Sequence, residues 1–467
     1  MKYVIFFTFV CVLLTIQYLP AQAPDTLWTK TYGGSGWDNS HCVQPTSDGG
    51  YIIAGFTESF GNGTRELWMV KTDQYGDTSW TKTLGGSGEE NAYCVQQTSD
   101  NGYIIAGQTN SYGLGNYDVY LLKLDETGDA VWTKTYGGEN SDYAREIKIT
   151  SDGGYVLCGA TSGNAWILKT NSVGDTSWTT IITGPQAEVA ESIYQTNDGG
   201  YIVVGATGAF GVADVLLIRL NSQGDSLWAK TFGGPGYDWG HSVVQTGDGG
   251  YVICGVTSGE GWMMKTDTMG DTVWTTTIFG PQANIAASIC QTTDGGYIVA
   301  GAADDNGWLS KTDATGSLLW SKNWGGINQE WLLSVQSTSD GGYVATGFTS
   351  SFGAGNRDAW LLKIGPETTH LIKNDQETVK DRFDLHQNYP NPFNPTTTIE
   401  FDLPKTSNVT LKIFNILGEE VTTLVSDRLS AGSYSYEWDA NNLASGVYLY
   451  RLETQGFVET KKMILMK

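Results

Sequence analysis

One tetrad, Asp-Gly/Asn-Gly-Tyr, occurs seven times and limits this chain more than any other feature. It begins at Asp48, Asp100, Asp152, Asp198, Asp248, Asp294 and Asp340, giving spacings of 52, 52, 46, 50, 46 and 46 residues. A tryptophan series, Trp28, Trp80, Trp132, Trp178, Trp228, Trp274 and Trp320, keeps the same spacings. A unit of this size cannot bury an apolar face alone and is stable only when stacked on its neighbours.

Within one unit the pattern reads as four short strands. Strand a lies around "CVQPT", b is "YIIAGFT", c is "LWMVKTD" and d is "TSWTKTLG", with turn residues at each junction. The chain's 60 Gly, 17 Trp and 24 Tyr suit many strands joined by tight turns. A strand-rich unit with a period of about 40–50 residues predicts a β-propeller rather than a helical solenoid. The Asp-Gly-Gly segment predicts a primed two-residue hairpin turn, because glycine tolerates positive φ. Gly55, Gly107, Gly159, Gly205, Gly255, Gly301 and Gly347 fall four residues after the tyrosine, where a missing side chain permits close sheet packing.

The ends of the array are complementary. A lone d-type segment, Asp25–Gly34, precedes the first unit, while the last unit stops at Gly365 without its tryptophan strand. Supplying that strand from the N-terminus removes both free edges. The expected fold class is all-β: a seven-bladed β-propeller over 24–365 closed by its N-terminal strand, a linker over 366–382, and a small Ig-like β-sandwich over 383–467.

Residues 1–23 read as a signal peptide, with Lys2, the apolar run "YVIFFTFVCVLLTI" and small residues at Ala21 and Ala23. No later run approaches the roughly 20 apolar residues that span a bilayer, so no transmembrane segment is expected in the mature chain. A formal charge of −23 argues against nucleic acid, whose phosphates require clustered Lys and Arg. After signal removal Cys42, Cys94, Cys158, Cys254 and Cys290 remain. Cys42 and Cys94 are equivalent in adjacent repeats and are expected to lie too far apart for a bridge, serving as small buried hydrophobes.

Loop lengths point to one face. The b–c connections are long in repeats one, two, four and seven and short in the others, and in an up-and-down unit they share a face with the d–a crossings, where recognition usually sits. In those crossings one rank holds Asp38, Glu90, Asp142, Glu188, Asp238, Asn284 and Glu330. Such carboxylates bind cations or share protons, but a type repeated in every unit is better explained by capping backbone N–H groups. The aromatic residues beside them, Trp37, Tyr143, Tyr237, Trp239 and Trp331, are irregular, which suits sugar stacking or a protein hot spot, or simple cover of a sheet edge. The candidate ligand-binding set is therefore Trp37, Asp38, Glu90, Asp142, Tyr143, Tyr237, Asp238, Trp239, Glu330 and Trp331.

No catalytic or metal signature appears. His41 and His241 occupy equivalent crossings of non-adjacent repeats, and no H-E-x-x-H, G-x-S-x-G or phosphate-cradling loop is present. Six c–d turns read D/N-x-x-G-D/S, as in "DQYGD", and are expected to be Asx turns with glycine at positive φ. No cofactor is expected; calcium is the one alternative these turns raise, although an EF-hand-like loop needs a longer ligand series ending in Glu. The segment "LLKLDETGDAVWTKTYGG" resembles the repeat of quinoprotein-type propellers and is also similar to the bacterial β-propeller repeat of large exported proteins. The turn order D-x-x-G-D-x-x-W departs from the sialidase S-x-D-x-G-x-x-W motif.

Beyond Gly365, "NYPNPFNP", "IFNILGEEV", "AGSYSYEWDANNLASGVYLYRLE" and the closing "KKMILMK" resemble, in order and at the terminus, the C-terminal sorting domain of type IX secretion cargo. That resemblance implies passage through the periplasm and across the outer membrane, with the type IX machinery as partner and the domain commonly cut off at the surface. Lys461 to Lys467 is the segment expected to be read by that machinery. The chain is thus read as a secreted or outer-surface binding protein whose propeller recognises a glycan or protein. The alternatives are a secreted enzyme, either a quinoprotein-like oxidoreductase or a glycan-active hydrolase with an acidic pair among Asp38, Glu90, Asp142 and Asp238, and a structural adhesion or surface-layer component.

Overall fold

The computed structural model describes residues 23–62, 64–184, 186–208, 213–278, 284–367, 382–393, 395–429, 431–440 and 443–466. The expected signal segment lies outside these residues up to position 22, as does most of the expected linker, 368–381. Two compact units form, Met1–Thr368 and Thr369–Lys467. Every element among the described residues is a β-strand, and no helix is long and apolar enough to cross a membrane.

The first unit repeats one sheet. Strand β1 spans Thr26–Tyr32; the first complete sheet is β2 (Asp38–Pro45), β3 (Tyr51–Thr57), β4 (Glu66–Thr72) and β5 (Thr78–Leu84), the a, b, c and d strands of the repeat, paired in that order. Five further sheets repeat this arrangement, and a seventh places β1 antiparallel to Asp358–Ile364, with Thr29 opposite Leu362. In the first sheet strands b and c are buried throughout, whereas d alternates half-buried and exposed positions, so a and d are the inner and outer strands. Each pair of consecutive sheets encloses an apolar cluster. Ile52, Leu67 and Met69 pack on Val95, Tyr103 and Leu122 between the first and second. Val43, Tyr51 and Ile53 pack on Val344, Ala359 and Leu361 between the first and seventh.

Strand a begins earlier than its sequence pattern indicates, at the carboxylate itself, because a bulge follows. In all seven a–b pairings the register shifts at the fourth residue, as between Ser40 and Cys42. The bulge drives the strand-a carbonyl into strand b, so a Cβ at Gly107 would overlap the carbonyl oxygen of Asn91, and one at Gly55 that of Asn39. The invariant glycine is therefore required for space.

The Asp-Gly-Gly hairpin is not the primed two-residue turn expected. Gly49 N donates to Thr46 O and Thr46 N to Gly50 O, and only Gly49 has positive φ, +85°: a type I turn followed by one left-handed residue. Primed geometry occurs instead at the short b–c turns, where Ser162 and Gly163 have φ of +51° and +78°. The tetrad's aspartate also does more than turn the chain. Asp48 accepts from Thr46 Oγ1 and Gly50 N, and pairs with Lys71 Nζ of strand c at 2.8 Å. The same pair recurs in every sheet at 2.5–3.0 Å, with Arg219 replacing Lys once. Gly50 leaves room for that ammonium, which a Cβ would meet at 2.7 Å.

Sheets are fastened by the two aromatic series. Trp28 meets Tyr51 of the next sheet edge-on at 5.8 Å, and the seven Trp–Tyr pairs all fall between 5.6 and 6.3 Å. The c–d turn is the floor on which the indole lies: Asp73 Oδ1 accepts from Tyr75 N and Asp77 N, and a Cβ on Gly76 would stand 2.7 Å from the Trp28 ring. The last sheet lacks that turn, and Glu367 instead accepts from Trp320 Nε1 and the Tyr343 hydroxyl. One cysteine expectation fails. The inner strands converge, so Cys42 Sγ lies 3.7 Å from Cys94 Sγ rather than out of reach. Cys158 and Cys254 are buried in apolar clusters, as expected.

The second unit is two sheets over one core. Asp384–Leu385, Thr396–Leu403 and Gly432–Asp439 form one; Glu420–Leu429, Ser407–Asn415, Gly446–Thr454 and Phe457–Leu465 form the other. The Asn-Pro-rich motif seals the core. Phe393 packs on Trp438 at 5.5 Å and exchanges backbone hydrogen bonds with Ile464 and Met466, while buried Asn388 donates to Thr397 and Pro390.

Two outcomes are expected. Gly107→Ala should cost about 1–3 kcal/mol in urea unfolding, while Gly138→Ala, where a Cβ meets nothing, should change stability by less than about 0.5 kcal/mol. Partial burial opposes ionisation of Asp48, but bonds from Lys71, Thr46 and Gly50 outweigh it; at Asp100 the Thr98 hydroxyl leads, and both carboxyls are held at about 2. These values lie below the unfolded one of about 3.9. Their stabilisation is therefore complete above about pH 4 and lost as pH falls toward 2. The thermal midpoint should drop across that interval, and less steeply in Asp48→Asn.

Candidate functional site

Crossings and b–c loops meet on one face. Six crossings are pinned to the preceding sheet's b–c loop, as by Asp38 N to Arg357 O, Glu90 N to Arg65 O and Asp142 N to Tyr117 O at 2.7–2.9 Å. Some are also pinned to their own, as where Gly36 N donates to Ser59 Oγ and Gly88 N to Ser111 Oγ.

The rank of carboxylates is turned inward. Asp38, Glu90, Asp142, Glu188, Asp238 and Glu330 are all buried, and each accepts from a crossing glycine N–H (Gly34, Gly86, Gly138, Gly184, Gly234 and Gly326) at 2.7–3.0 Å. Several bind strand-b hydroxyls as well: Thr57 donates to Asp38, Thr109 to Glu90, Thr257 to Asp238 and Thr349 to Glu330. Facing Asp38, Glu90, Asp142 and Asp238 across the first glycine of the crossing is a second acid from strand c; burial and the Asp142 charge raise Asp118, and burial with Asp38 raises Asp358. Asp38, Glu90, Asp142, Asp238 and Glu330 thus each hold crossing backbone through a carboxylate oxygen, and they do so in separate sheets. Asp238 also borders a seam of about 310 Å³ with Val215, Phe232 and Trp262. Among the described residues no group of three or more His, Cys, Asp or Glu is placed to hold a metal.

The aromatic candidates behave differently. Trp37 is 43% exposed, with the Arg357 guanidinium over its ring at 4.7 Å; that guanidinium also lies 3.8 Å from the Phe348 centroid, and Phe348 meets Trp331 at 5.7 Å. Tyr143 joins a second column in which Arg145 bridges Tyr143 and Tyr93 at 4.8 and 4.7 Å, and His41 stacks on Tyr93 at 5.1 Å. Tyr237, Trp239 and His241 form a third, at 5.5 and 6.5 Å. So the structure brings Trp37 together with Trp331, but keeps Tyr143 and the Tyr237–Trp239 pair in separate stacks.

Sequence reading missed the cations. Residues 24–365 contain four arginines; Arg219 takes the strand-c lysine place, and the other three, Arg65, Arg145 and Arg357, all act on His41. Burial lowers His41 to about 4, those three charges push the same way, and its bond to Ala92 O opposes them. His41 is therefore neutral at neutral pH and belongs to the stack. The available signal was the fourth residue of strand a, the bulged one, which reads His41, Tyr93, Arg145, Glu191, His241, Ala287 and Leu333. Beside Trp37 opens a cleft of about 610 Å³, lined by Trp37, Asp305, Ile327, Asn328, Gln329, Ser350, Gly355, Asn356 and Arg357.

Residues 387–466 match the family model described as a secretion system C-terminal sorting domain. The chain is therefore exported by type IX secretion to the cell surface or extracellular space, and that domain implies interaction with the secretion machinery. No curated protein matches. Among solved structures the chain is similar to PorZ, described as an essential surface component of the type IX secretion system of Porphyromonas gingivalis, at 13% identity and a TM-score of 0.43. That match covers 90% of this chain and spans 58% of the PorZ chain. The chain is also similar to the Pan2 WD40 domain of Neurospora crassa, at 12% identity and a TM-score of 0.47, covering 74% of this chain and 97% of that one. Sqt1 from Chaetomium thermophilum matches at 10% identity and 0.44, covering 68% and 83%. No function follows from these three.

If the carboxylates are caps, Glu90→Ala should cost about 1–3 kcal/mol in chemical denaturation, because Gly86 N and the Thr109 hydroxyl lose their acceptor. Glu90→Gln should cost less, since its amide oxygen still accepts.

Proposed function

We propose that this protein is an exported binding protein whose seven sheets close into a seven-bladed propeller, and whose loop face recognises a glycan. Support for closure comes from β1 completing the last sheet, from the Trp28–Tyr51 contact, and from Ser334 Oγ reaching Val43 N at 3.3 Å. A single observation carries the binding reading: an exposed tryptophan backed by a stacked guanidinium at the edge of a cleft with amide and hydroxyl walls. An indole with one face held and one free stacks on the apolar face of a sugar ring, while Asn328, Gln329, Ser350 and Asn356 meet its hydroxyls. Ile327, 95% exposed on the same rim, favours a protein contact as the second reading.

A glycan array with the mature chain tests this. Wild type should retain at least one glycan, and Trp37→Ala and Arg357→Ala should each weaken it tenfold or more, about 1.4 kcal/mol. No glycan held by wild type would overturn the glycan reading and leave the protein contact at Ile327.

A further inference from the structure

Two thiols face one another between the first and second sheets. Cys42 Sγ lies 3.7 Å from Cys94 Sγ and 3.4 Å from Val95 N. Both occupy the fifth place of strand a, where the other sheets carry Glu146, Ser192, Ser242, Ser288 and Ser334. There each side chain reaches the next sheet's backbone. Glu146 accepts from Ile193 N at 2.8 Å, Ser192 from Val243 N at 3.2 Å and Ser288 from Val335 N at 3.2 Å. This rank is where sheet is fastened to sheet, and at Cys42 the atom that crosses meets a second thiol. Among the described residues no other two cysteines are in contact.

The sorting domain sends the chain out through the periplasm, an oxidising route in which disulfides persist. We propose that Cys42 and Cys94 are oxidised to a disulfide during export, joining the first sheet covalently to the second. The oxidant is a disulfide-bearing thiol carrier protein. The Cys42 thiolate attacks the carrier disulfide and displaces one carrier thiolate; the Cys94 thiolate then attacks the Cys42 sulfur of the mixed disulfide and displaces the other. Two electrons pass to the carrier, which leaves as a dithiol after taking up the two cysteine protons. Closing 3.7 Å to a bond of about 2.0 Å requires a side-chain rotation.

The two thiols differ in the way these roles require. Cys42 is half-buried and Cys94 buried. Cys42, the more accessible sulfur, attacks the carrier disulfide, and the buried Cys94 resolves the mixed disulfide.

The test is a thiol count on mature protein recovered from the exporting cell, denatured in N-ethylmaleimide and weighed intact. The mature chain has five cysteines, so three adducts are expected without reductant and five after reduction. A tryptic map should contain one linked pair holding Cys42 and Cys94. Cys42→Ser and Cys94→Ser should each give four adducts with or without reductant. Five adducts on unreduced wild type, or a link between other cysteines, would overturn the proposal. The wild-type count and map decide the matter even if a serine variant fails to accumulate.

Discussion

Each outer-strand tryptophan packs, edge-on or tilted, against the strand-b tyrosine of the next sheet, and the array depends on that contact. An aromatic pair contributes about 0.5–1.5 kcal/mol beyond its burial, and here a Trp–Tyr contact repeats in every sheet. Its geometry requires the rest of the unit. The indole needs a floor without a side chain, which the Asx turn supplies at Gly76 and its equivalents. Where the floor is missing, after the last strand, Glu367 binds both rings instead.

The second constraint is the bulge in strand a. It brings two backbones so close that strand b must carry glycine, and six of the seven inner strands open with a buried acid that holds the crossing, the sixth with Asn284. The residues that differ between sheets sit at the bulge, in the crossings and in the b–c loops, where Trp37, His41, Tyr93, Arg145 and Arg357 occur; the bulged residue of the sixth sheet is Ala287. The repeated carboxylates are buried and hold backbone N–H groups, whereas the irregular Trp37 is exposed beside a cleft.

Several local features were legible in the residues: the Trp series as a strand marker, Gly55 as a close approach, the c–d turn as an Asx turn, and the capping role of Asp38 and its equivalents. Others were not. Lys71 looks like an exposed strand lysine until its ammonium is placed against Asp48, 23 residues earlier in the chain. Cys42 and Cys94 look separated because they belong to different repeats, yet inner strands converge, and equivalent positions there approach one another. Arg357 and Trp37 lie at opposite ends of the array and meet only because β1 pairs with the last strand.

The sequence by itself determined the period, the strand count per unit, the complementary ends and the export address, because each depends on local pattern: alternation, turn residues and a contiguous terminal motif. Only the tertiary structure decided which of the equivalent residues share a surface. Carboxylates and aromatics stand side by side in the chain, but the fold buries the acids against the crossings and leaves the rings in separate stacks. No local pattern records that division, because it is set by how neighbouring sheets pack.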